Sequence, residues 1–237
     1  MNNPPRVLVG TVTYEGKDYV WDKFYSNIKT LEYPNYDFVI VDNTESKSYY
    51  SKLKRRGVNA FHVKRGANSR IAFAKSMNKL RELFLQGDYD YLMIIESDLI
   101  PPKDIIQRLL SHQKDVVGCM YNIGLMNSKT VPPRPCLFTL NKETMRTENI
   151  PPEEGFFFFG NGLVKVHGCG LGTTLVRKNI LEQFKFWYYL GDEDDKTPKH
   201  SDVLFYMDLY NNRRDVFVDT DIFIPHYNQD WRTVKDI

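Results

Sequence analysis

Short apolar segments that end in polar residues alternate with segments of helical periodicity along the first half of the chain. Five of these apolar runs are typical of strands buried on both faces, at residues 6–14, 36–41, 59–63, 91–96 and 115–121. Between the first two, Val20, Phe24, Ile28 and Leu31 recur at helical spacing and predict a helix over residues 19–31. Further helices are predicted near residues 49–56, 71–84 and 104–112. This alternation favours a mostly parallel central sheet flanked by helices, in the manner of Rossmann-like α/β domains.

The pattern changes after residue 121. Residues 122–162 are irregular and rich in proline, and we expect them to form a long excursion with a hairpin over the carboxyl edge of the sheet. A Gly-flanked strand is predicted over residues 168–176 and a helix from Ser201 or Asp202 to about Asn211. Extended segments are predicted at residues 216–219 and 222–226.

Two carboxylates, Glu96 and Asp98, directly follow the fourth apolar run. Pro101-Pro102 prevents the strand from continuing, so both acids are expected at the carboxyl end of a central strand, where open α/β sheets bind ligands. Because side chains at i and i+2 of an extended segment point to the same side, the two can face one hard cation. The alternative is a solvated loop in which the two acids cap the next helix.

Composition narrows the class of protein. A chain of 237 residues, 42% hydrophobic and 26% charged, can form one sizeable α/β domain. The formal net charge of +2 argues against a general nucleic-acid binder. The three cysteines have no metal-site spacing and are expected to be reduced. Since we find no apolar run that could cross a bilayer and no signal-peptide pattern, we expect a cytoplasmic protein without a transmembrane segment.

Two familiar phosphate-binding motifs do not occur in the sequence. The turn after the first strand, residues 10–14, lacks the G-x-G-x-x-G fingerprint, and no G-x-x-x-x-G-K-[ST] loop is found. A nucleotide would therefore be held by other groups. Thr11, Tyr14 and Asp42 lie at adjacent predicted strand ends, where Tyr14 can stack on a base and Asp42 can accept a hydrogen bond from a base or ribose.

Basic residues suggest how a diphosphate would be bound. Arg70 lies at a predicted helix start and can approach a diphosphate there. The alternatives are a solvated side chain for Arg70 and an Asx-turn for Asp42. Lys64-Arg65 is interpreted as a solvated loop rather than as a phosphate clamp.

Six segments together resemble one known family of enzymes. They are residues 39–44, 69–72, 96–98, 168–177, 200–205 and 219–226. In this order the chain resembles the GT-A class of nucleotide-sugar-dependent glycosyltransferases, most nearly the family 2-like members, over residues 6–228. The resemblance implies a single glycosyltransferase domain over residues 1–237, with a nucleotide-sugar-binding half at 6–121 and an acceptor-side half at 122–237. It also implies a nucleoside-diphosphate sugar donor and a glycan, lipid-linked or other hydroxyl acceptor.

The resemblance also implies roles for particular residues. Glu96-Ser97-Asp98 resembles the D-x-D metal motif, with Glu in place of the first Asp, and lies beside the nucleotide. Asp42 corresponds to the strand-end aspartate that contacts the base or ribose, and Arg70 to the basic residue that faces the nucleotide. His226 resembles a histidine at the end of the catalytic domain that can be the remaining metal ligand.

The chemistry of the donor favours a divalent cation. A sugar that leaves a nucleoside diphosphate develops negative charge on the diphosphate, which a cation can stabilise. Asp98 and Glu96 offer carboxylate ligands and His226 a neutral imidazole, a mixed set that suits Mn²⁺ better than Mg²⁺. The alternative for His226 is an ordinary surface or core histidine beside Pro225.

An acceptor hydroxyl needs a base, and Asp202 is the candidate for an inverting transfer. Its alternative is a plain helix N-cap, since Ser or Asp is expected before an apolar helix. Two other functions stay open at this point. A sugar-1-phosphate nucleotidyltransferase would need a Gly-rich basic loop after the first strand, which residues 10–13 lack. A non-catalytic nucleotide- or sugar-binding module would bind without turnover.

Overall fold

The computed structural model describes residues 3–123, 134–141, 146–150, 154, 156–192 and 199–227. Within these ranges the chain forms strands that we number β1 to β13. They are β1 Val7–Thr13, β2 Tyr36–Asp42, β3 Ala60–His62, β4 Tyr91–Ile95, β5 Val116–Met120, β6 Asn122–Ile123, β7 Arg134–Pro135, β8 Leu137–Asn141, β9 Arg146–Asn149, β10 Leu163–Val166, β11 Gly168–Cys169, β12 Thr173–Arg177 and β13 Val216–Phe223.

Helices connect the strands of the first half as the periodicity predicts. The α-helices are α1 Trp21–Ile28, α2 Ser48–Arg55, α3 Ser69–Gln86, α4 Ile105–Ser111, α5 Lys178–Gln183 and α6 Ser201–Asn211. Two 3₁₀ helices lie at Glu15–Val20 and Phe156–Phe158. No helix among the described residues is long and apolar enough to cross a membrane.

Eight strands form the central sheet, in the order β10-β13-β5-β12-β4-β1-β2-β3. β1 is parallel to β2 and β4, β2 is parallel to β3, and β13 is parallel to β5. β12 is antiparallel to both β4 and β5, and β10 is antiparallel to β13. The predicted α/β class with a mostly parallel sheet is confirmed, and the carboxyl ends of its parallel strands share one edge.

The central strands are buried because helices cover them. All five residues of β4 and all five of β5 are buried, as their uninterrupted apolar runs predict. Helix α3 packs on β1 and β2 through Met77, Leu80 and Phe84. Gly10 of β1 lies directly under Leu80, so the close approach of helix and strand needs a residue without a side chain.

Several boundaries differ from the predicted ones for physical reasons. The helix predicted at residues 19–31 is preceded by a 3₁₀ turn and ends at Ile28. Helix α3 begins at Ser69 because the Asn68 side chain accepts a hydrogen bond from the Ile71 N–H (3.0 Å). The strand predicted over residues 168–176 is two strands, β11 and β12, separated by a turn at 170–172.

The second half also departs from the predicted pattern. The extended segments predicted at 216–219 and 222–226 are largely one strand, β13, which continues to Phe223. The excursion at 122–162 contains an antiparallel pairing of β8 with β9. Residues 124–133, 142–145, 151–153 and 155 of this excursion lie outside the described residues.

Candidate functional site

A cavity of about 280 Å³ opens at the carboxyl edge of the sheet, beside the ends of β1 and β4. Its walls come from five parts of the chain that are distant in sequence. The lining residues are Val12, Thr13, Tyr14, Lys17, Asn43, Arg65, Ser69, Ala72, Phe73, Glu96, Ser97, Asp98, His200 and Asp202.

Backbone hydrogen bonds hold the carboxylate segment after β4. The Glu96 N–H donates to the Gly172 carbonyl (2.8 Å), and the Leu99 N–H donates to the Glu96 carbonyl (3.0 Å), which closes a turn. The Asp98 carbonyl accepts from the Tyr227 N–H (2.8 Å), and Leu99 forms a β-bridge with His226. The exit of β4 and the segment after β13 are therefore joined through their backbones.

Glu96, Asp98 and His226 form a cluster whose ligand atoms all lie within 4.8 Å of one another. His226 Nε2 lies 3.1 Å from Asp98 Oδ2, and Nδ1 lies 2.8 Å from the Asn122 carbonyl oxygen. Because a carbonyl oxygen can only accept, Nδ1 carries a proton. Nε2 faces Asp98 Oδ2 and donates to it when the ring is protonated. Loss of that proton leaves a lone pair on Nε2 beside the two carboxylates, which is the tautomer a metal ligand requires.

Asp98 is buried, and two basic side chains, those of Lys17 and His226, contact its carboxylate. Its Oδ2 accepts from both Lys17 Nζ and His226 Nε2, while its buried Oδ1 has no hydrogen-bond partner in the part of the chain that the structure describes. Burial raises the pKa of Asp98, but the hydrogen bond from His226 and the charge of Lys17 outweigh it and hold the pKa below its ordinary value.

The partners of Asp98 shift in the complementary direction. Burial lowers the pKa of His226, but the hydrogen bond with Asp98 and the charges of Asp98 and Glu96 together raise the pKa above its ordinary value. Burial lowers the pKa of Lys17, but the charge of Asp98, the hydrogen bond to it and the charge of Glu96 together raise the pKa above its ordinary value. Burial and then the charge of Asp98 raise the pKa of the Glu96 carboxyl to about 7.

The residues of the cluster fit a divalent cation. They offer two carboxylates and one imidazole, a mixed oxygen and nitrogen set that Mn²⁺ and related ions accept. Oδ1 of buried Asp98 is an acceptor without a hydrogen-bond partner among the described residues, and a cation would supply it with one.

A second wall of the cavity is aromatic and polar. The Arg65 guanidinium lies 5.1 Å from the centre of the Tyr14 ring and donates to Asn43 Oδ1 (3.1 Å). Asn43 in turn donates from Nδ2 to Ser76 Oγ (3.2 Å). This arrangement presents a ring face, a guanidinium and a fixed amide to whatever enters the cavity.

Ser97 and Asp202 both line the cavity. Ser97 Oγ is 3.0 Å from Thr13 Oγ1 at the floor of the cavity. Asp202 is the second residue of α6, and its Oδ1 accepts from the Val203 N–H (2.8 Å). The N-cap of α6 is His200, not Asp202. Burial raises the pKa of Asp202, although the Val203 N–H opposes the shift.

Three of the predicted nucleotide-binding residues do not line the cavity. Thr11 is buried within β1, and its hydroxyl finds no hydrogen-bond partner among the described residues. Asp42 is buried and accepts from the Thr44 N–H (3.0 Å), the Asx-turn geometry, and its other oxygen lies 3.0 Å from His62 Nδ1. Arg70 is the second residue of α3, and its neighbour Ser69 lines the cavity in its place.

Lys17, Asn43 and Arg65 line the cavity but were not among the predicted site residues. Asn43 follows Asp42 directly, so the side chain that faces the cavity is one position beyond the predicted one. Arg65, interpreted as part of a solvated loop, instead packs over Tyr14, while Lys64 is exposed. Lys17 lies in the 3₁₀ helix after β1. In the sequence it is one basic residue in a polar turn, and no motif distinguishes it from a solvated lysine.

Comparison with known proteins identifies the fold. No protein-family model and no curated protein sequence matches the chain. S. aureus TarS 1-349 in complex with UDP-GlcNAc aligns with a TM-score of 0.58 at 15% identity, over 98% of this chain and 62% of that one. TarS 1-349 in complex with UDP aligns with a TM-score of 0.55 at 17% identity, over 97% and 63%.

A third solved structure, S. aureus TarS, aligns with a TM-score of 0.54 at 17% identity, over 97% of this chain and 38% of that one. The chain thus spans less than two thirds of the TarS chains that it matches. At these identities the similarity establishes architecture alone. The chain has a GT-A-like α/β fold, with its cavity at the carboxyl edge of the sheet.

Proposed function

We propose that the protein is a metal-dependent glycosyltransferase that moves a sugar from a nucleoside-diphosphate sugar to a hydroxyl acceptor with inversion. One observation carries this proposal: a single cavity is lined by Glu96 and Asp98, whose cluster His226 completes, by the Tyr14–Arg65–Asn43 wall and by Asp202. Such a transfer requires a cation site, a surface that binds the nucleobase of the donor, and a general base that removes the proton of the acceptor hydroxyl.

The cluster is the proposed site of Mn²⁺ or Mg²⁺. Asp98, Glu96 and His226 would hold the ion, which supplies Lewis-acid stabilisation of a leaving diphosphate. The hydrogen bond between His226 Nδ1 and the Asn122 carbonyl fixes the orientation of the imidazole before any ligand arrives.

The proposed donor is a uridine-diphosphate sugar. Support comes from the similarity in fold to TarS 1-349, whose solved complexes contain UDP and UDP-GlcNAc. The wall formed by Tyr14 and Arg65 can stack on a pyrimidine, and the Asn43 amide is held by two hydrogen bonds in a fixed orientation from which it can select a base edge.

Asp202 is the proposed general base. Its carboxylate faces the same cavity as Glu96 and Asp98, and burial raises its pKa, which makes it a better proton acceptor than an exposed aspartate. In an inverting transfer it would remove the proton of the acceptor hydroxyl while the sugar leaves the diphosphate.

A donor panel tests the proposal. UDP-, GDP- and dTDP-sugars are compared by melting shift with Mn²⁺ and with EDTA, and the UDP-sugar plus Mn²⁺ is expected to give the largest stabilisation. Transfer to glycan and lipid-linked hydroxyl acceptors is then followed, with the anomeric configuration of the product determined by NMR. Absence of any Mn²⁺-dependent shift with all three donors would overturn the proposal, and a retained anomer would overturn the role of Asp202.

A further inference from the structure

The Lys17 ammonium forms an ion pair with Asp98 Oδ2, the oxygen that His226 Nε2 also contacts. The Asp98 side chain is 1% exposed, whereas the Lys17 side chain is 26% exposed and lines the cavity. The positive charge of Lys17 is therefore in direct contact with the Asp98 carboxylate, a member of the Glu96–Asp98–His226 cluster. A divalent cation on these ligands and an ammonium in contact with Asp98 would repel each other strongly.

The backbone around Lys17 is held on several sides. The Lys17 N–H donates to the Tyr14 carbonyl (2.9 Å), and the Glu15 N–H donates to Thr44 Oγ1 (2.9 Å). The Tyr19 hydroxyl donates to the Tyr227 carbonyl (2.6 Å), one residue beyond His226. With its main chain fixed, Lys17 can leave Asp98 only by rotating its flexible side chain, and the cavity is the open space into which it can turn.

We propose that Lys17 is an internal counter-ion of Asp98 that a divalent cation displaces, and that the displaced ammonium then binds the diphosphate of the donor; the second part rests on the proposed function. In the absence of metal, Lys17 compensates the buried carboxylate. When metal binds Asp98 and Glu96, the charges of these two carboxylates are taken up by the cation, and the diphosphate is the negative group left for the freed ammonium, which binds it as a point charge. The same side chain thus weakens metal binding alone and strengthens nucleotide binding once metal is present.

The first experiment measures Mn²⁺ alone by isothermal titration calorimetry, without nucleotide. Lys17→Met removes the competing charge and should tighten Mn²⁺ binding by about tenfold or more, because a like charge at this distance is repulsive. Lys17→Arg keeps the charge and should stay within about threefold of the wild-type affinity. The matched control is Lys165→Met, which removes an ion-paired lysine outside the cavity lining and should leave Mn²⁺ affinity unchanged.

The second experiment measures UDP at saturating Mn²⁺. Here Lys17→Met should weaken UDP binding by about tenfold, since one charge-assisted contact with the diphosphate is lost. Opposite effects of one substitution on two ligands separate this role from a structural one, because a misfolded or loosened site would bind both ligands more weakly. A far-ultraviolet circular dichroism spectrum and a melting curve check that each variant is folded.

Each result decides between defined alternatives. Mn²⁺ affinity of Lys17→Met that is equal to or below that of the wild type overturns the displacement, and so does absence of Mn²⁺ binding to both proteins. Tighter Mn²⁺ binding with unchanged UDP binding leaves Lys17 as a counter-ion only and overturns its role at the diphosphate. If UDP does not bind the wild type at all, the proposed function fails, while the Mn²⁺ arm still tests the displacement on its own.

Discussion

Asp98 concentrates the chemistry of the site in one buried side chain. It contacts Lys17 and His226, and among the described residues its Oδ1 has no hydrogen-bond partner. We expect Asp98→Asn to abolish the Mn²⁺-dependent part of nucleotide binding; because Lys17 and His226 also lose their charged partner, the variant is expected to be less stable, and a melting curve checks that it is folded at the temperature of the titration. Calorimetric titration of UDP with and without Mn²⁺ measures this, and Asp22→Asn, at an exposed position, is the control. Retained Mn²⁺ enhancement in Asp98→Asn would contradict the assignment.

Glu96 gives the site a pH-dependent cost in stability. Its pKa rises from an ordinary 4.5 to about 7 in the folded protein, so between these values the native state binds more protons than the unfolded state. The free energy of unfolding must therefore fall as the pH rises from about 4.5 to 7, and the loss persists above that range. Because Glu96 is half-buried, solvent screening limits the effect to on the order of 1–2 kcal/mol.

Glu96→Gln should remove this cost. In EDTA at pH 8 the variant is expected to melt a few degrees above the wild type, whereas at pH 4.5 the two should melt together. Differential scanning calorimetry across this range makes the comparison, with the low-pH pair as the internal control. A wild type that melts higher than Glu96→Gln at pH 8 would show that Glu96 is stabilised by a partner when ionised.

The proposed role of Asp202 as general base is tested by the effect of its substitution on turnover. Removing a general base typically lowers the rate about a hundredfold to ten-thousandfold. Asp202→Asn should lose turnover by roughly this factor, while donor binding, measured by calorimetry, stays near that of the wild type. Donor binding that falls in parallel with turnover would assign Asp202 to the donor site instead.

At the scale of elements, local pattern predicts some parts of the site and misses others. The ends of β1 and β4 were predicted within two residues because uninterrupted apolar runs stop at polar residues there. The position of β12 between β4 and β5 was not predictable, since the antiparallel pairing of Thr173 with Ile95 joins distant segments without a local signal. Which residue after β2 faces the cavity depends on the turn, and this is why Asn43 lines it and Asp42 does not.

The turn between β11 and β12 is the element that holds Glu96. The Gly172 carbonyl accepts from the Glu96 N–H, and the Gly172 N–H donates to the Tyr121 hydroxyl (3.1 Å). A methyl group at Gly170 would overlap the Tyr121 hydroxyl and the Cys136 sulfur. We therefore expect Gly170→Ala to lower the free energy of unfolding by about 1–3 kcal/mol and to weaken Mn²⁺ binding.

Urea denaturation and Mn²⁺ titration measure the two effects of Gly170→Ala. The combination with Tyr121→Phe, which removes the nearest overlapping atom, should cost less than the sum of the two single substitutions. If the two decreases in the free energy of unfolding are strictly additive, the turn accommodates the added methyl group without pressing on the Tyr121 hydroxyl, and the packing argument is wrong.

At the scale of the whole molecule, one edge of the sheet gathers segments that are far apart in sequence. The cavity is lined from the end of β1, the turn after β2, the start of α3, the exit of β4 and the start of α6. β13 begins at the opposite edge of the sheet. A second cavity, of about 740 Å³, lies there and is lined by His167, Tyr210 and Arg214 among others. Ligand binding at the first edge should therefore leave the second one unchanged.

Hydrogen exchange can test this division. UDP with Mn²⁺ should slow exchange in residues 13–20, 96–99, 200–203 and 224–227 together, because these segments contact one another through the cavity and through the Asp98–Tyr227 and Tyr19–Tyr227 hydrogen bonds. Residues 163–166 and 213–216, at the opposite edge, are the internal reference and should exchange as in the free protein. UDP with EDTA should protect residues 13–20 more than residues 224–227, since the bound nucleotide is expected to reach His226 only through the metal. Protection confined to the opposite edge, or an equal effect with EDTA, would contradict the site, because bound metal is the link through which the nucleotide is expected to act on His226.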